Sequence, residues 1–343
     1  MAIEIGSVNA DTSVKLGNTI IQSGYIGSNY FYGTPLPILD LYGGSVHHAY
    51  SLRKLKSSYS GFCLRVRRTT TTPTVTTTTV DLSFDTTTNA ITLNSAITNF
   101  SGTATTAINL GQFCASIVNG YSNPDGVNIN QDIFVVTWFD QSGNGKNPTQ
   151  AFAGNQPKLV TNGNLETSGG KIAVRFTRSL ITRLALTDTS ANINNMSSYF
   201  VGQYASIPNT ISTGSIGYSL SGGVTTTARF QFPNQFSAQS TSQFASYGSN
   251  IVGIVLDTAA NTDRKLYELI SPTVGSTTLV QGWSNGFAKT TRAIVNAATA
   301  SINLGGANAD TTFDGYIQEV IGWQTNADRL NKENNINAYW TIY

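Results

Sequence analysis

The polar turn that follows a largely apolar run, residues 133–139, holds side chains that could bind a metal ion. Trp138–Gln150 reads WFDQSGNGKNPTQ, so a buried strand is expected to end in a tight turn of Asp, Ser, Gly and Asn. Asp140 and Asn144 carry the oxygen ligands that Ca²⁺ prefers in proteins. In the competing interpretation, Asp140 and Ser142 bond to the backbone of their own turn. We expect Asp140 to fasten the turn, with a Ca²⁺ site at Asp140 and Asn144 as the alternative, and no other cofactor.

The two histidines of the chain, His47 and His48, are adjacent. The sequence predicts that Ser45 caps a short helix that runs through His47 and Leu52 to Leu55. Neighbouring side chains on a helix point about 100° apart, so this pair cannot chelate a metal as histidines at i and i+4 do. We therefore expect neither histidine to be catalytic or to bind a metal.

The alternating stretch FCLRVRR, residues 62–68, predicts a strand with Arg65 and Arg67 on one face. These two side chains could form a basic patch that binds an acid or a sugar. The interpretation we favour is that one of them forms a bidentate pair with a carboxylate such as Asp140. The Thr-rich run at residues 69–79 then predicts a surface hairpin or loop, because Thr favours extended backbone.

Aromatic rings and turn amides are the side chains that proteins use to stack on sugar rings and to bind their hydroxyl groups. Trp283 and Tyr204, with Asn285 in a turn beside Trp283, are the candidates for such a carbohydrate-binding site. The alternative is that these rings pack in the core, as most of the 15 Tyr and 16 Phe of the chain are expected to do.

The composition favours an all-β protein with an uncharged polar surface. Hydrophobic residues make up 40% of the 343 residues and charged residues 11%, against about 25% charged residues in an ordinary soluble domain. Thr, Ser, Asn, Gln and Gly must therefore cover the surface, and these residues suit exposed strands and turns. The two cysteines, Cys63 and Cys114, have no metal-binding spacing, and we expect two buried free thiols.

The charge and hydropathy patterns exclude several classes of partner. A net charge of +2 is too small for a nucleic-acid-binding face, so no nucleic-acid partner is expected. No window reaches the roughly 18 apolar residues that a membrane span needs, so no membrane insertion is expected. The first residues show no secretory signal pattern.

The N-terminal stretch Val14–Gly33 contains two imperfect copies of one short pattern, LGNTII and IGSNYF. Each copy predicts a small hairpin that reverses at Gly and Asn or Ser. Isolated hairpins of this size are marginal in water, so the segment must pack against something else. One interpretation is that it extends the edge of the downstream sheet. The other is that residues 1–35 attach the protein to a partner through the apolar side chains Leu16, Ile20, Tyr25, Ile26, Tyr30 and Phe31.

This stretch resembles the short Leu-Gly-Asn/Ser-Thr repeats that open many tailed-phage structural proteins. The segment TPLP, residues 34–37, reads as a linker, because proline fixes an extended course. We therefore place an N-terminal virion-attachment segment at residues 1–35 and one domain at residues 36–343.

The order of motifs between His47 and Phe176 carries a second resemblance. HHAYSLRKLKSSYSGFCLRVRR, VTWFDQSGNGKNPTQ, NQPKLV and GGKIAVRF are followed near the C-terminus by FDGYIQEVIGW and a helix at residues 326–339, with Thr325 and Asp328 spaced as a capping box. This succession resembles the concanavalin A-like, laminin-G-type jelly roll of the branch that includes α-L-arabinofuranosidase B. The resemblance implies an all-β jelly-roll β-sandwich with a few short helices, preceded by the N-terminal hairpins.

The same resemblance bears on activity. An acidic residue is expected in a Gly-Gly-Asp-Asn-like turn before the closing strands, but the matching residues 305–308 read GGAN, with Ala307 at the acidic position. A methyl group cannot donate a proton, and neither Asp310 nor Asp314 completes a clear pair of carboxylates. We therefore expect the protein not to be an enzyme.

Taken with the N-terminal segment, the resemblance implies a phage virion structural protein, displayed on the particle as a head fibre, capsid accessory or tail component. It also implies that the protein is located in the virion and is assembled in the cytoplasm of the host cell. Its expected partners are other virion proteins through residues 1–35, further copies of itself and a host-surface glycan. The two alternatives are a glycoside hydrolase of the α-L-arabinofuranosidase type and a plain carbohydrate-binding module.

Overall fold

The computed structural model describes the backbone of residues 3–343 apart from residues 6–13, 17–18, 22, 27–28, 34, 71–75, 127–129, 189, 191–194, 207–214, 222–228, 236–241, 248–250, 258–261, 272, 275–276, 295–300 and 307–311. The N-terminal segment forms strands β1 (Ile3–Ile5), β2 (Val14–Leu16), β3 (Thr19–Ile21), β4 (Ser23–Ile26) and β5 (Asn29–Gly33).

The domain that follows consists of strands with three short or medium α-helices in its described part. The helices are α1 (Ile38–Tyr42), α2 (Leu110–Phe113) and α3 (Arg329–Trp340). The strands are β6 (Val46–Ser51), β7 (Leu64–Thr70), β8 (Thr76–Leu82), β9 (Ile97–Gly102), β10 (Ile133–Trp138), β11 (Lys158–Thr161), β12 (Asn164–Leu165), β13 (Thr167–Ser168), β14 (Lys171–Ile172), β15 (Val174–Phe176), β16 (Leu184–Thr187), β17 (Met196–Tyr204), β18 (Ser215–Ser221), β19 (Arg229–Gln235), β20 (Ser242–Tyr247), β21 (Ile251–Asp257), β22 (Lys265–Ser271), β23 (Thr273–Val274), β24 (Thr277–Ser284), β25 (Phe287–Ile294), β26 (Ser301–Leu304) and β27 (Gly315–Trp323).

The strands form a jelly-roll β-sandwich, as the sequence predicts. One sheet runs β23-β24-β22-β17-β27-β15-β11-β10-β7-β8-β9, with β6, β12 and β25 paired beside this path. A second sheet runs β16-β26-β18-β19-β20-β21. The pairings are antiparallel, as in β17 against β22 and β27. The largest buried side chains of the core are Trp138, Trp323, Trp340, Tyr50, Tyr199, Tyr218, Phe113, Phe176 and Phe200.

The predicted helix from Ser45 to Leu55 is wrong. Residues Val46–Ser51 are strand β6, which pairs antiparallel with the last five residues of β27. The run VHHAYS contains β-branched and aromatic residues, and five of its six side chains are buried. Burial on both faces of a strand removes the alternation that would have identified it from the sequence. The helix in this region is α1, which ends just before the glycine pair that precedes β6.

Other sequence predictions hold with changes of detail. The C-terminal helix is present as α3, but the capping box predicted at Thr325 and Asp328 is wrong. Asp328, the residue before the helix, has a left-handed backbone with φ 58° and makes no capping bond through its side chain. The Thr-rich hairpin is confirmed by the pairing of β7 with β8. Cys63 and Cys114 are free and buried, as expected.

The two N-terminal hairpins are seen as backbone pairings. Strand β2 pairs with β3, with Leu16 opposite Thr19, and β4 pairs with β5, with Ile26 opposite Asn29. Among the described strands, β1–β3 form one small sheet and β4–β5 another, and neither joins the sheets of the sandwich. The side chains of the six proposed attachment residues, Leu16, Ile20, Tyr25, Ile26, Tyr30 and Phe31, lie outside the described part of the structure.

Candidate functional site

An open depression of about 500 Å³ lies where the start of β6 meets the turn after β10. We call it the His47 depression; its lining residues are Ser45, Val46, His47, Asn144, Lys146, Ser190 and Gln324. They come from β6 and from the segments that follow β10, β16 and β27, so four separate parts of the sandwich build this one surface.

The turn after β10 is held by the carboxylate of Asp140. Its Oδ1 accepts hydrogen bonds from the backbone N–H of Ala49 at 2.8 Å and of Ser142 at 3.0 Å. Its Oδ2 accepts from the Ser142 hydroxyl at 2.6 Å and from the backbone N–H of Lys146 at 3.1 Å. Burial raises the pKa of Asp140, and these donors oppose that rise. Asp140 thus fastens the turn to β6, in agreement with the first of the two interpretations of this motif.

Two glycines give the turn its shape, and Asn144 connects it to the strand. Gly143 and Gly145 have φ values of 89° and 70°, which glycine adopts without strain. Asn144 donates from Nδ2 to the carbonyl oxygens of Val46 at 2.9 Å and His47 at 3.1 Å. Among the described residues, no group of three His, Cys, Asp or Glu side chains is placed to hold a metal ion. The Ca²⁺ site at Asp140 and Asn144 stays a prediction.

Lys146, which lines the depression, forms an ion pair with the buried carboxylate of Asp188. The Lys146 ammonium lies 2.9 Å from Asp188 Oδ2 and 2.5 Å from the Ser190 hydroxyl oxygen. Ser190 in turn donates to Asp188 Oδ1 from its hydroxyl at 2.7 Å and from its backbone N–H at 2.9 Å. Burial tends to raise the pKa of Asp188, but the bonds from Lys146 and Ser190 outweigh it and lower this pKa to about 2. An ionised carboxylate therefore lies beside an ammonium group.

His47 and His48 connect this ion pair to the core. His47 Nε2 lies 3.3 Å from both Asp188 Oδ2 and Ser190 Oγ. His47 Nδ1 lies 2.8 Å from His48 Nδ1, and His48 Nε2 lies 2.8 Å from the Tyr218 hydroxyl. Burial and then the charge of Lys146 lower the pKa of His47 to about 4. Burial and then His47 lower the pKa of His48 well below its ordinary value, so both rings are neutral at pH 7.

The three residues predicted to bind carbohydrate lie away from this depression and have structural partners. The Trp283 ring is half-buried, and the Arg329 guanidinium carbon lies 4.6 Å from its centroid. Asn285 lies in the turn between β24 and β25, and its Oδ1 accepts from the backbone N–H of Leu266 at 2.9 Å. Tyr204 is buried, and its hydroxyl donates to the carbonyl of Ser215 at 3.2 Å.

The arginine partners differ from those that the sequence suggests. Arg65 forms its bidentate pair with Asp81, at 2.7 and 2.9 Å, and not with Asp140. Arg67 donates to the Gln156 side chain at 2.7 Å. Arg65 reaches Asp81 because its strand, β7, pairs directly with β8, which carries Asp81.

Sequence reasoning missed Lys146, Asp188 and Ser190 as parts of one site. Lys146 belongs to the turn motif Trp138–Gln150, but a single lysine in a turn does not by itself indicate a binding site. Asp188 and Ser190 are spaced as an Asx turn, which the Ser190 N–H bond to Asp188 confirms. That spacing indicates only a turn. Nothing in the sequence indicates that this turn lies beside Lys146, which is 42 residues earlier in the chain.

Comparison with known proteins gives a likeness of fold. No family model matches the chain, and no curated protein matches it. Similar solved structures include an α-L-arabinofuranosidase of glycoside hydrolase family 54, soaked with a cyclic sulfate inhibitor, at 16% identity and a TM-score of 0.49. That match covers 90% of this chain and 66% of the other, so this chain spans a little less than two thirds of the enzyme's length.

Two further similar structures are more distant. Domain 4 of an extracellular arabinanase from Geobacillus stearothermophilus, in complex with arabinotriose, has 14% identity and a TM-score of 0.37, over 50% of this chain and 82% of the other. Trypanosoma rangeli sialidase in complex with an inhibitor has 9% identity and a TM-score of 0.40, over 76% and 42%. These neighbours are β-sandwich proteins. The likeness is one of fold.

The neighbours correct one expectation. The sequence led us to expect that the protein is not an enzyme, and this is contradicted, because the similar structures include arabinofuranosidases and sialidases. Ala307 and Asp310, on which that expectation partly rested, lie outside the described residues. Asp314 is described, and its Oδ1 accepts from Arg175 at 2.6 Å.

Proposed function

We propose that the His47 depression binds a carbohydrate. The observation that carries the proposal is the convergence of the Lys146 ammonium, the Ser190 hydroxyl and the His47 ring on the Asp188 carboxylate, all within 3.3 Å of it. Lys146, Ser190 and His47 line the depression, so an ammonium group, a hydroxyl group and an imidazole ring lie there beside a carboxylate. Sugar hydroxyl groups both donate and accept, and sites of mixed polarity suit them.

The charge balance of the site supports a polar ligand without a large net charge. Lys146 and Asp188 neutralise each other, and the low pKa of His47, about 4, leaves that ring uncharged at pH 7. The ammonium side chain keeps 15% of its surface exposed, so a ligand hydroxyl can reach it without breaking the ion pair. The experiments below measure both the binding of a carbohydrate and its cleavage.

The test is a titration of the whole chain with arabino-oligosaccharides and a panel of other neutral glycans, followed by calorimetry. Lys146→Ala should weaken binding by about tenfold or more, because a hydrogen bond to a charged group contributes about 1.5–3 kcal/mol. The matched control is Lys158→Ala, since Lys158 is also ion-paired, with Asp132 at 2.6 Å, beside the opposite end of β10. Equal affinity of the two variants, or no binding by the wild type, would contradict the proposal.

Release of arabinose from an aryl arabinofuranoside, measured on the same proteins, reports whether a bound sugar is also cleaved. A glycosidase needs two carboxyl groups about 5–10 Å apart. Asp188 is the carboxylate that bonds to Lys146 and Ser190 of the lining, so Asp188→Asn should abolish any release that wild type shows. Release that survives this substitution would place the cleavage at another site.

We also propose that residues 1–35 attach the domain to a phage particle, through other virion proteins and further copies of this chain. What supports this is that β1–β3 and β4–β5 form sheets of their own among the described strands, which does not fit the interpretation that they extend an edge of the sandwich. Removal of residues 1–33 should leave a domain that folds and keeps its glycan affinity but no longer joins the particle. If the truncated protein still assembles onto virions, the attachment proposal is wrong.

A further inference from the structure

Two basic side chains, Lys171 and Arg264, meet at the C-terminal end of helix α3. The Lys171 ammonium donates to the carbonyl oxygen of Tyr339. The Arg264 guanidinium donates to the carbonyl oxygen of Thr341 at 2.8 Å and to that of Ser168, at the turn between β13 and β14, at 3.2 Å. Lys171 begins β14, directly after that turn. The two cations therefore lie beside the same turn and the same helix end.

The positive charge of this pair is not balanced by a carboxylate. In the described part of the structure, every hydrogen-bond acceptor of Lys171 and Arg264 is a backbone carbonyl oxygen. Asp263 precedes Arg264 in the chain but is not among these partners. By contrast Arg53, a third cation beside the end of α3, is paired with both carboxylate oxygens of Glu319, at 2.8 and 3.0 Å. A helix C-terminus carries only about half a negative charge, so more than one positive charge stays unbalanced.

The electrostatics of the two cations show the same excess. Burial lowers the pKa of Lys171, and the positive charges of Arg264 and then Arg53 lower it further. Burial also lowers the pKa of Arg264. An anion placed beside both groups would favour the charged form of each and would relieve the repulsion between them.

Both cations keep hydrogen-bond donors and a route to solvent. An ammonium group has three N–H donors and a guanidinium has five, and the carbonyl oxygens listed above leave two donors on Lys171 and the Nε donor on Arg264 for a ligand. Both side chains are partly exposed. At Gly170, in the turn beside them, an added Cβ would meet no atom within 4 Å, so the space next to the turn is open. The Tyr339 ring, whose centroid lies 4.5 Å from Lys171 Nζ, holds the ammonium in place.

We propose that Lys171 and Arg264 form a binding site for the oxyanion of an acidic glycan, either a carboxylate or a sulfate group. Guanidinium and ammonium groups are the donors with which proteins bind oxyanions. A sugar chain suits the site better than a nucleic acid, because two cations on a chain with a net charge of +2 do not form the extended basic face that nucleic acid needs. Neither cation lines the His47 depression, so the site goes beyond the function proposed above.

The test is calorimetric titration of the whole chain with two probes, inorganic sulfate and oligogalacturonate, a sugar chain with a carboxylate on each unit. Lys171→Gln and Arg264→Gln should each weaken the binding of both probes about tenfold, the effect of one lost hydrogen bond to a charged group. Lys171→Arg keeps the charge and should keep most of the affinity. The matched control is Lys158→Gln, because the Lys158 ammonium is already paired with Asp132 at 2.6 Å, and it should leave both affinities unchanged.

Absence of binding of either probe by the wild type would overturn the inference, and so would equal affinity in the wild type and both glutamine variants. Binding of sulfate without oligogalacturonate would refute the glycan as the source of the anion. A DNA oligonucleotide that binds as tightly as oligogalacturonate would show that the site selects charge alone and would also overturn the inference. If neither glutamine variant folds, competition on the wild type decides: sulfate should displace oligogalacturonate more strongly than chloride does at equal ionic strength, and equal displacement contradicts the site.

The outcome is separable from the fate of the carbohydrate proposal for the His47 depression. Lys146→Ala, which should weaken the binding of neutral glycans there, should leave the affinity for oligogalacturonate unchanged. A loss of oligogalacturonate binding in Lys146→Ala would place the acidic sugar in the His47 depression and overturn the second site.

Discussion

Replacing Asp140 by alanine should destabilise the domain strongly, because this buried carboxylate accepts four hydrogen bonds. The substitution removes four hydrogen bonds at once, from the backbone N–H groups of Ala49, Ser142 and Lys146 and from the Ser142 hydroxyl. Ala49 is fully buried, so its N–H group is left without a partner and without water. The other three donors lie nearer the surface and can exchange the carboxylate for solvent.

The magnitude follows from these contacts. An orphaned buried N–H group costs about 1–3 kcal/mol, and each of the three solvent-accessible bonds contributes about 0.5–1 kcal/mol. We expect Asp140→Ala to lower the free energy of unfolding by about 3–5 kcal/mol, a large fraction of the roughly 5–15 kcal/mol of a typical domain. Asp140→Asn keeps one acceptor oxygen, for the bonds from Ala49 and Ser142 N–H, and should cost about half as much.

The assay is urea unfolding followed by tryptophan fluorescence, with the slope of the transition compared between variants. The matched control is Asp132→Ala, just before the opposite end of β10, whose carboxylate bonds to Lys158 and to the backbone N–H of Asn162. We expect this partly exposed group to contribute about 1 kcal/mol or less. An Asp140→Ala midpoint equal to that of Asp132→Ala would show that Asp140 does not fasten the turn.

Two further predictions concern the histidines. Gly322→Ala should lower the free energy of unfolding by about 1–3 kcal/mol, because the new Cβ would lie 2.5 Å from His48 Cε1 and 2.6 Å from Met196 Cε. Gly44→Ala is the control. A Cβ there would meet no atom within 4 Å, so this change should leave the urea midpoint unaltered. The free energy of unfolding should also fall as the pH is lowered from 6.5 toward 4, because the unfolded chain takes up a proton on His47 in that range and the folded chain, with a pKa of about 4, does not. With solvent screening taken into account, we expect the free energy of unfolding to fall by about 1–2 kcal/mol, measured from the urea midpoints at pH 7 and pH 4.5. The fall should be smaller in His47→Gln.

The sequence predicts the fold well where local patterns and turn chemistry agree. The alternation in β7 and the glycine-rich turn after β10 are visible in single stretches of chain, and both are present as expected. The order of motifs from His47 to Phe176 led to the jelly roll because it depends on several such stretches at once. The prediction for β6 failed, since a strand buried on both faces shows no alternation and its partner β27 lies far away in the sequence, with Glu319 paired to Ser51.

The functional site was predictable in part. Asp140 was correctly assigned to its own turn because an Asx bond is a local interaction, formed with residues two and six positions later. The cluster of Lys146 with Asp188 was not predictable, because it depends on how β10 and β16 lie together in the folded protein. The same holds for His47 and His48, whose ring nitrogens lie 2.8 Å apart beside an irregularity in the pairing of β6 with β27.

The most direct test of the account is the histidine NMR spectrum recorded with and without a saturating arabino-oligosaccharide. If the His47 depression is the carbohydrate site, the ligand should shift the His47 Nε2 signal, and the shift should disappear in Lys146→Ala but persist in Lys158→Ala. A His47 signal that stays unchanged while calorimetry shows the sugar to be bound would place the site elsewhere on the sandwich and contradict the central claim.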